Sequence, residues 1–147
     1  MRYRKTISNR LEKLERVREW LRPRLVVAGV DQASVRSIEL ATTEALANIM
    51  KHAYAGSDAS VINITLTVDP ALVRVAIRDF AEPFQPDPAK ETLAPEPSPS
   101  GGLGMYIMRQ AMDHVAYEQR SPTGTTLIME HHRRPSTNAP DVQPDAR

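Results

Sequence analysis

The chain of 147 residues carries a formal net charge of +1, with 25% charged and 41% hydrophobic residues. That balance fits one ordinary globular domain and excludes a disordered or nucleic-acid-coating polypeptide. Cysteine is absent, which rules out disulfides and thiolate metal sites and suits a reducing cytoplasm. The longest apolar run, Leu25 to Val30, is far too short to span a bilayer. Met1-Arg2-Tyr3-Arg4-Lys5 does not resemble a cleavable signal. A cytoplasmic domain with no membrane partner and no direct nucleic-acid contact is expected.

Residues 8 to 28 place Leu11, Leu14, Val17, Trp20, Leu21 and Leu25 at three- and four-residue steps, which predicts an amphipathic helix interrupted or kinked at Pro23. The first 24 residues hold nine Lys or Arg against three Glu, giving that helix a basic face, read first as a solvated surface and, beyond that, as a candidate for protein contact. Gly29 and Asp31 supply a stop and an N-cap, and a second helix should run from about Gln32 to Ala53, with Gly56 ending it. Runs 61 to 68 and 72 to 79 are rich in β-branched residues and flank Asp69-Pro70-Ala71, the signature of an antiparallel hairpin.

Pro83 to Pro99 contains six of the 12 prolines and few large apolar residues, so it cannot be regular throughout. A loop this long in a compact domain is usually functional, and we read residues 82 to 101 as a mobile lid. Ser100-Gly101-Gly102-Leu103-Gly104 then opens an apolar helix reaching Met112, and short strands follow over 115 to 119 and 125 to 130. The domain is expected to cover residues 1 to 132, with 133 to 147 a disordered tail.

Within the second helix, Glu44, Asn48 and His52 recur every fourth residue with Lys51 beside them, while Leu46, Ile49 and Met50 can face a core. The spacing puts a carboxylate, a carboxamide, a cation and an imidazole along one side. Asp79 ends the second strand of the hairpin, where an aspartate is otherwise a turn former. Glycines ahead of a helix let backbone N–H groups approach an anion, and the helix dipole favours negative charge there. The cluster at 101 to 104 lacks the Gly-Lys-Ser/Thr of a P-loop.

Taken together, a Glu-x-x-x-Asn helix, a strand ending in Asp and a Gly-Gly-x-Gly turn behind a lid resemble the ATP-binding fold shared by gyrase, histidine kinases and MutL. More closely, the chain resembles the anti-sigma-factor serine/threonine kinases of bacterial partner switching, within the histidine-kinase-like (GHKL) ATPase superfamily. The resemblance covers roughly residues 8 to 130. Four boxes carry it: Glu39 to Asn48 with Lys51-His52-Ala53-Tyr54, Ile77 to Phe84, Gly101 to Met105 with Met112-Asp113, and Gly124-Thr125-Thr126-Leu127.

It implies a two-layer α/β sandwich of Bergerat type, helices on one face of a mixed sheet, with ATP and Mg2+ as cofactors. Glu44 would be the catalytic base and Asn48 the Mg2+ ligand. The ATP contacts would come from Asn48, Lys51, His52, Asp79, Ala81, Phe84, Gly101, Gly102, Leu103, Gly104, Met105 and Thr125. Among these, Asp79 would accept a hydrogen bond from the adenine amino group and Thr125 would add an adenine-side hydroxyl. The implied partners are a STAS-domain anti-sigma-factor antagonist as phosphoacceptor, a sigma factor or comparable target, and a second copy in a homodimer. The alternative implied by the same fold is a regulator in which nucleotide shapes a binding surface and no phosphate moves. One departure stands out. The usual Asp-x-Gly is Asp79-Phe80-Ala81, and alanine tolerates positive φ poorly, so either the loop is reshaped or nucleotide binding is weakened.

Overall fold

In the computed structural model the described residues are 1–53, 60–81, 102–119 and 124–134. Among the described residues are five strands and three α-helices: β1 (Arg2–Ser8), α1 (Lys13–Val27), α2 (Gln32–Asn48), β2 (Val61–Val68), β3 (Leu72–Asp79), α3 (Gly102–Ala111), β4 (His114–Gln119) and β5 (Thr125–His132). The sheet order is β1-β2-β3-β5-β4. All four pairings are antiparallel, so the two-layer sandwich stands and its sheet is antiparallel rather than mixed. The physical reason is connectivity: β2 turns straight into β3, and β5 enters beside β3 running against it.

Period-two alternation gives the sheet two unlike faces. One buries Ile62, Ile64 and Leu66 of β2, Val73, Val75 and Ile77 of β3, and Leu127 and Met129 of β5. Against it lie Val17, Leu21 and Leu25 of α1, Ile38, Ala41 and Leu46 of α2, and Met108 of α3. The central helix α2 packs between α1 and α3, and Arg22 of α1 grips the buried Glu39 of α2 through two bonds of 2.8 and 2.6 Å. A two-pronged guanidinium contact of this kind fixes the relative setting of the two helices.

The hairpin bounds match the expected runs, and its turn is closed by the Asp69 carboxylate, which accepts from the N–H groups of Ala71 and Leu72 at 2.8 and 2.9 Å. Asp31 caps α2 as expected, accepting from the Ser34 N–H at 2.9 Å. Gly29, at φ +77, ends α1. Its N–H bonds Val26 O at 3.0 Å and that of Val30 bonds Leu25 O at 3.0 Å, the paired closure that a left-handed residue permits.

Four expectations are corrected. The N-terminal basic residues do not all lie on a helix, because Arg2–Ser8 pairs with β2 as an edge strand and helix starts only at Lys13. Of the two outcomes expected at Pro23, interruption does not occur, since α1 continues to Val27. The second α-helix stops at Asn48, where Ile49–Ala53 widens into a π-helical turn. Order also persists past residue 132: the Arg133 N–H bonds Ala71 O at 2.8 Å, and its guanidinium bonds Asp69 O at 3.0 Å and Ala28 O at 2.9 Å. The proposed lid at 82–101, the Gly56 stop and residues 135–147 lie outside the described residues.

Candidate functional site

Glu44 and Asn48 stand one turn apart on α2, both half-buried, facing the first turn of α3. Their meeting point is Gly104. A methyl group there would lie 3.1 Å from Glu44 Oε2, 3.1 Å from Asn48 Oδ1 and 3.1 Å from Asn48 Nδ2. Only a hydrogen fits without displacing those groups, so the third glycine of the cluster lets α3 approach the carboxylate and carboxamide together. Backbone N–H groups of the first helical turn, which have no intrahelical acceptor, are thereby brought beside them.

Asp79 lies at the other end of the arrangement. It is buried, pairs across the sheet with Thr125, and accepts from the Ala81 N–H at 3.1 Å and from the backbone N–H of Thr125. Burial pushes its carboxyl above the usual carboxylate range, and the two backbone bonds only partly oppose that. A carboxylate can accept about four bonds, so capacity remains for a ligand donor. Beside it, Thr125 Oγ1 is buried with no hydrogen-bond partner among the described residues. A buried acceptor and an orphaned hydroxyl at the end of one sheet face fit a polar heterocycle that presents both a donor and an acceptor.

The backbone of Ala81 answers the question of strain. No described non-glycine residue has positive φ, so Ala81 is unstrained, and its methyl is buried in the core cluster. The loop takes a shape that alanine can adopt. The left-handed residue near Asp79 is instead Gly124, at φ +104, where a Cβ would fall 2.4 Å from Asp79 O. Sequence reading placed Gly124 in a box but gave it no role; the Ser-Pro-Thr-Gly stretch before β5 was the available signal.

Lys51 is exposed on the π turn, where the helical period changes at Ile49. Leu103 is exposed, Gly102 opens α3, and half-buried Met105 accepts a bond from Tyr117 Oη at 2.9 Å. Phe84, Gly101 and the side chain of His52 lie outside the described residues. Among the described residues no cluster of three His, Asp or Glu could cage a metal. The carboxamide oxygen of Asn48 is a hard donor of the kind that suits Mg2+, an ion that commonly takes its other ligands from phosphate and water.

Comparison with known proteins agrees with this layout. A serine-protein kinase RsbW of Staphylococcus epidermidis is 28% identical over 110 residues, covering 69% of this chain and 68% of that protein. Its counterpart in Staphylococcus aureus (strain JH9) is 26% identical over 110 residues, with the same coverage of 69% and 68%. The RsbU and RsbW domains of a Mycobacterium tuberculosis protein superpose with a TM-score of 0.63 at 21% identity. That match covers 92% of this chain and 33% of the two-domain structure, so this chain spans about a third of it. The histidine kinase domain of a blue-light activated kinase from Erythrobacter litoralis gives 0.53 at 18% identity, over 85% of this chain and 61% of that one. These two likenesses concern the fold. The model of the histidine kinase-like ATPase domain spans residues 7–131, from the last turn of the edge strand through Glu44, Asp79 and Gly104 to the end of β5, and the chain belongs to that family.

Proposed function

We propose that this protein is an ATP-dependent serine/threonine kinase acting on a STAS-domain anti-sigma-factor antagonist, and that it holds a sigma factor or comparable target when that antagonist is phosphorylated. The observation that carries the reading is the convergence of Glu44 and Asn48 on Gly104. An acyl-binding or redox pocket has no use for a carboxylate and a carboxamide aimed at a glycine in the first turn of a helix, whereas phosphoryl transfer uses all three.

Bound Mg-ATP would supply the γ-phosphoryl group. Asp79 and Thr125 would hold the adenine, and the first-turn N–H groups of α3, with Lys51 as a point charge, would hold phosphate oxygens. Asn48 would offer one oxygen to Mg2+. Glu44 would take the proton of the acceptor serine or threonine as its oxygen bonds to phosphorus and ADP leaves, a general-base role that needs the carboxylate within one water or less of the hydroxyl. The 28% and 26% identical relatives named as serine-protein kinases support the reaction class. Since no helix among the described residues is long and apolar enough to cross a membrane, we place the reaction in the cytoplasm, where ATP is available. We also infer a homodimer from the same kinship.

The test is incubation with Mg-ATP and the STAS-domain protein encoded nearest to the gene, followed by intact mass of that partner. A single added phosphate, lost in Glu44→Ala while ATP still binds, is the expected result. A stable complex and bound ATP without any transferred phosphate would instead identify a non-catalytic, nucleotide-dependent binding module.

A further inference from the structure

The helix-free face of the sheet gathers polar and charged side chains from neighbouring strands. Register places three rows across it: Arg2, Thr67, Arg74, Glu130 and His114; Arg4, Thr65, Ala76, Ile128 and Ala116; Thr6, Asn63, Arg78, Thr126 and Glu118. The short side chains of β2 and Ala76 form the floor of a trough of about 750 Å3. Arg2 and Arg4 on β1 line one side, and Arg74 and Arg78 on β3 the other, roughly 10 Å away at two strand spacings. Lys5 stands at the β1 rim.

Most of this charge is uncompensated. Arg74 is paired with Glu130, but among the described residues no ion pair holds Arg2, Arg4, Lys5 or Arg78. Arg78 lies over the Phe80 ring, 4.9 Å from its centroid, and its Nε is shielded from water without a hydrogen-bond partner among the described residues. The ring thus orients this cation in the trough.

We propose that this trough binds an acidic polypeptide segment of a partner protein, with Asp or Glu side chains reaching the two arginine rails and the Thr65 and Thr67 hydroxyls. Charge complementarity selects that occupant. A second copy of the chain stacked by a two-fold axis would set arginine against arginine. Nucleic acid would need a broadly basic surface, whereas the whole chain is only +1 and both Glu130 and Glu118 lie in the same face, toward its β5–β4 side and away from the β1 rail. The surface is independent of the kinase reading, because Glu44, Asn48 and Gly104 belong to the helix layer on the other side of the sheet.

The test uses the full chain and a fluorescent poly-L-glutamate of about 20 residues, read by anisotropy at low and moderate salt. Arg4→Gln with Arg78→Gln should weaken binding at least tenfold, and Arg16→Gln with Arg36→Gln, which removes the same charge from the helix layer, should change it less than twofold. Melting curves establish that each variant is folded. Equal weakening by both pairs, or no binding by the parent chain, overturns the proposal. Tighter binding of a 20-nucleotide single strand would reassign the trough to nucleic acid, and a dimer in sedimentation that dissociates only with Arg4→Gln and Arg78→Gln would reassign it to self-association.

Discussion

Gly104 and Asp79 show how much of the site rests on single atoms. A methyl at Gly104 would meet three polar atoms at 3.1 Å, tight enough that Glu44 and Asn48 must give by a few tenths of an ångström while the helix itself gains a better helix former. Gly104→Ala is therefore expected to keep or raise the melting temperature and to lower ATP affinity about tenfold, near 1.4 kcal/mol, measurable by calorimetry. For Asp79 the two properties separate in the opposite way. Its carboxyl is raised by burial, so the folded chain keeps this proton at a pH where the unfolded chain has released it. The contribution favours folding fully below the ordinary carboxylate value and is lost as pH rises through the higher folded value. Asp79→Asn should make the nucleotide-free protein at least as stable at neutral pH, flatten its gain on mild acidification, and weaken ATP binding by tenfold or more. Paired melting and binding measurements across that pH window decide it.

The secondary structure was legible wherever local chemistry agreed with tertiary packing. The β2–β3 hairpin carries its own turn in Asp69, and α2 its own cap in Asp31, so both were readable to the residue at those ends. Removing the cap by Asp31→Ala should cost about 1 kcal/mol. The Ser34 hydroxyl and N–H hold the Asp31 carboxyl below its usual range, so its contribution is present above the ordinary carboxylate value and fades as pH falls through the lower folded value, visible as a smaller deficit of the variant in acid. β1 was illegible for the opposite reason. In Arg-Tyr-Arg-Lys-Thr-Ile-Ser only Ile7 is buried, and the strand exists because β2 offers it a ladder, which no local window contains. Nor does the sequence of α2 announce that its α-helical period ends at Asn48, where a π turn follows; such turns gather at functional sites.

At the scale of the whole molecule, the sandwich uses its two sides for different work, apolar against the helices and cationic toward solvent. The pattern that built the first was readable from alternating β-branched residues, whereas the second needed the register of β1 on β2 and of β2 on β3 before its arginines could be seen to share a face. Gly124 ties the whole together. Its φ of +104 and its close approach to Asp79 O leave no room for a side chain, and Gly124→Ala is expected to lower stability by about 3 kcal/mol in denaturant titration, with ATP affinity falling as well. That contact also imposes a schedule on synthesis. Asp79 emerges with the first hairpin, but the strand carrying its partner Thr125 comes after α3 and β4. A nascent chain can hold its helices and hairpin early and still have no wall for the nucleotide base until β5 has left the ribosome. The sheet so built is completed late, when β5 slides between β3 and β4, two strands that are already made.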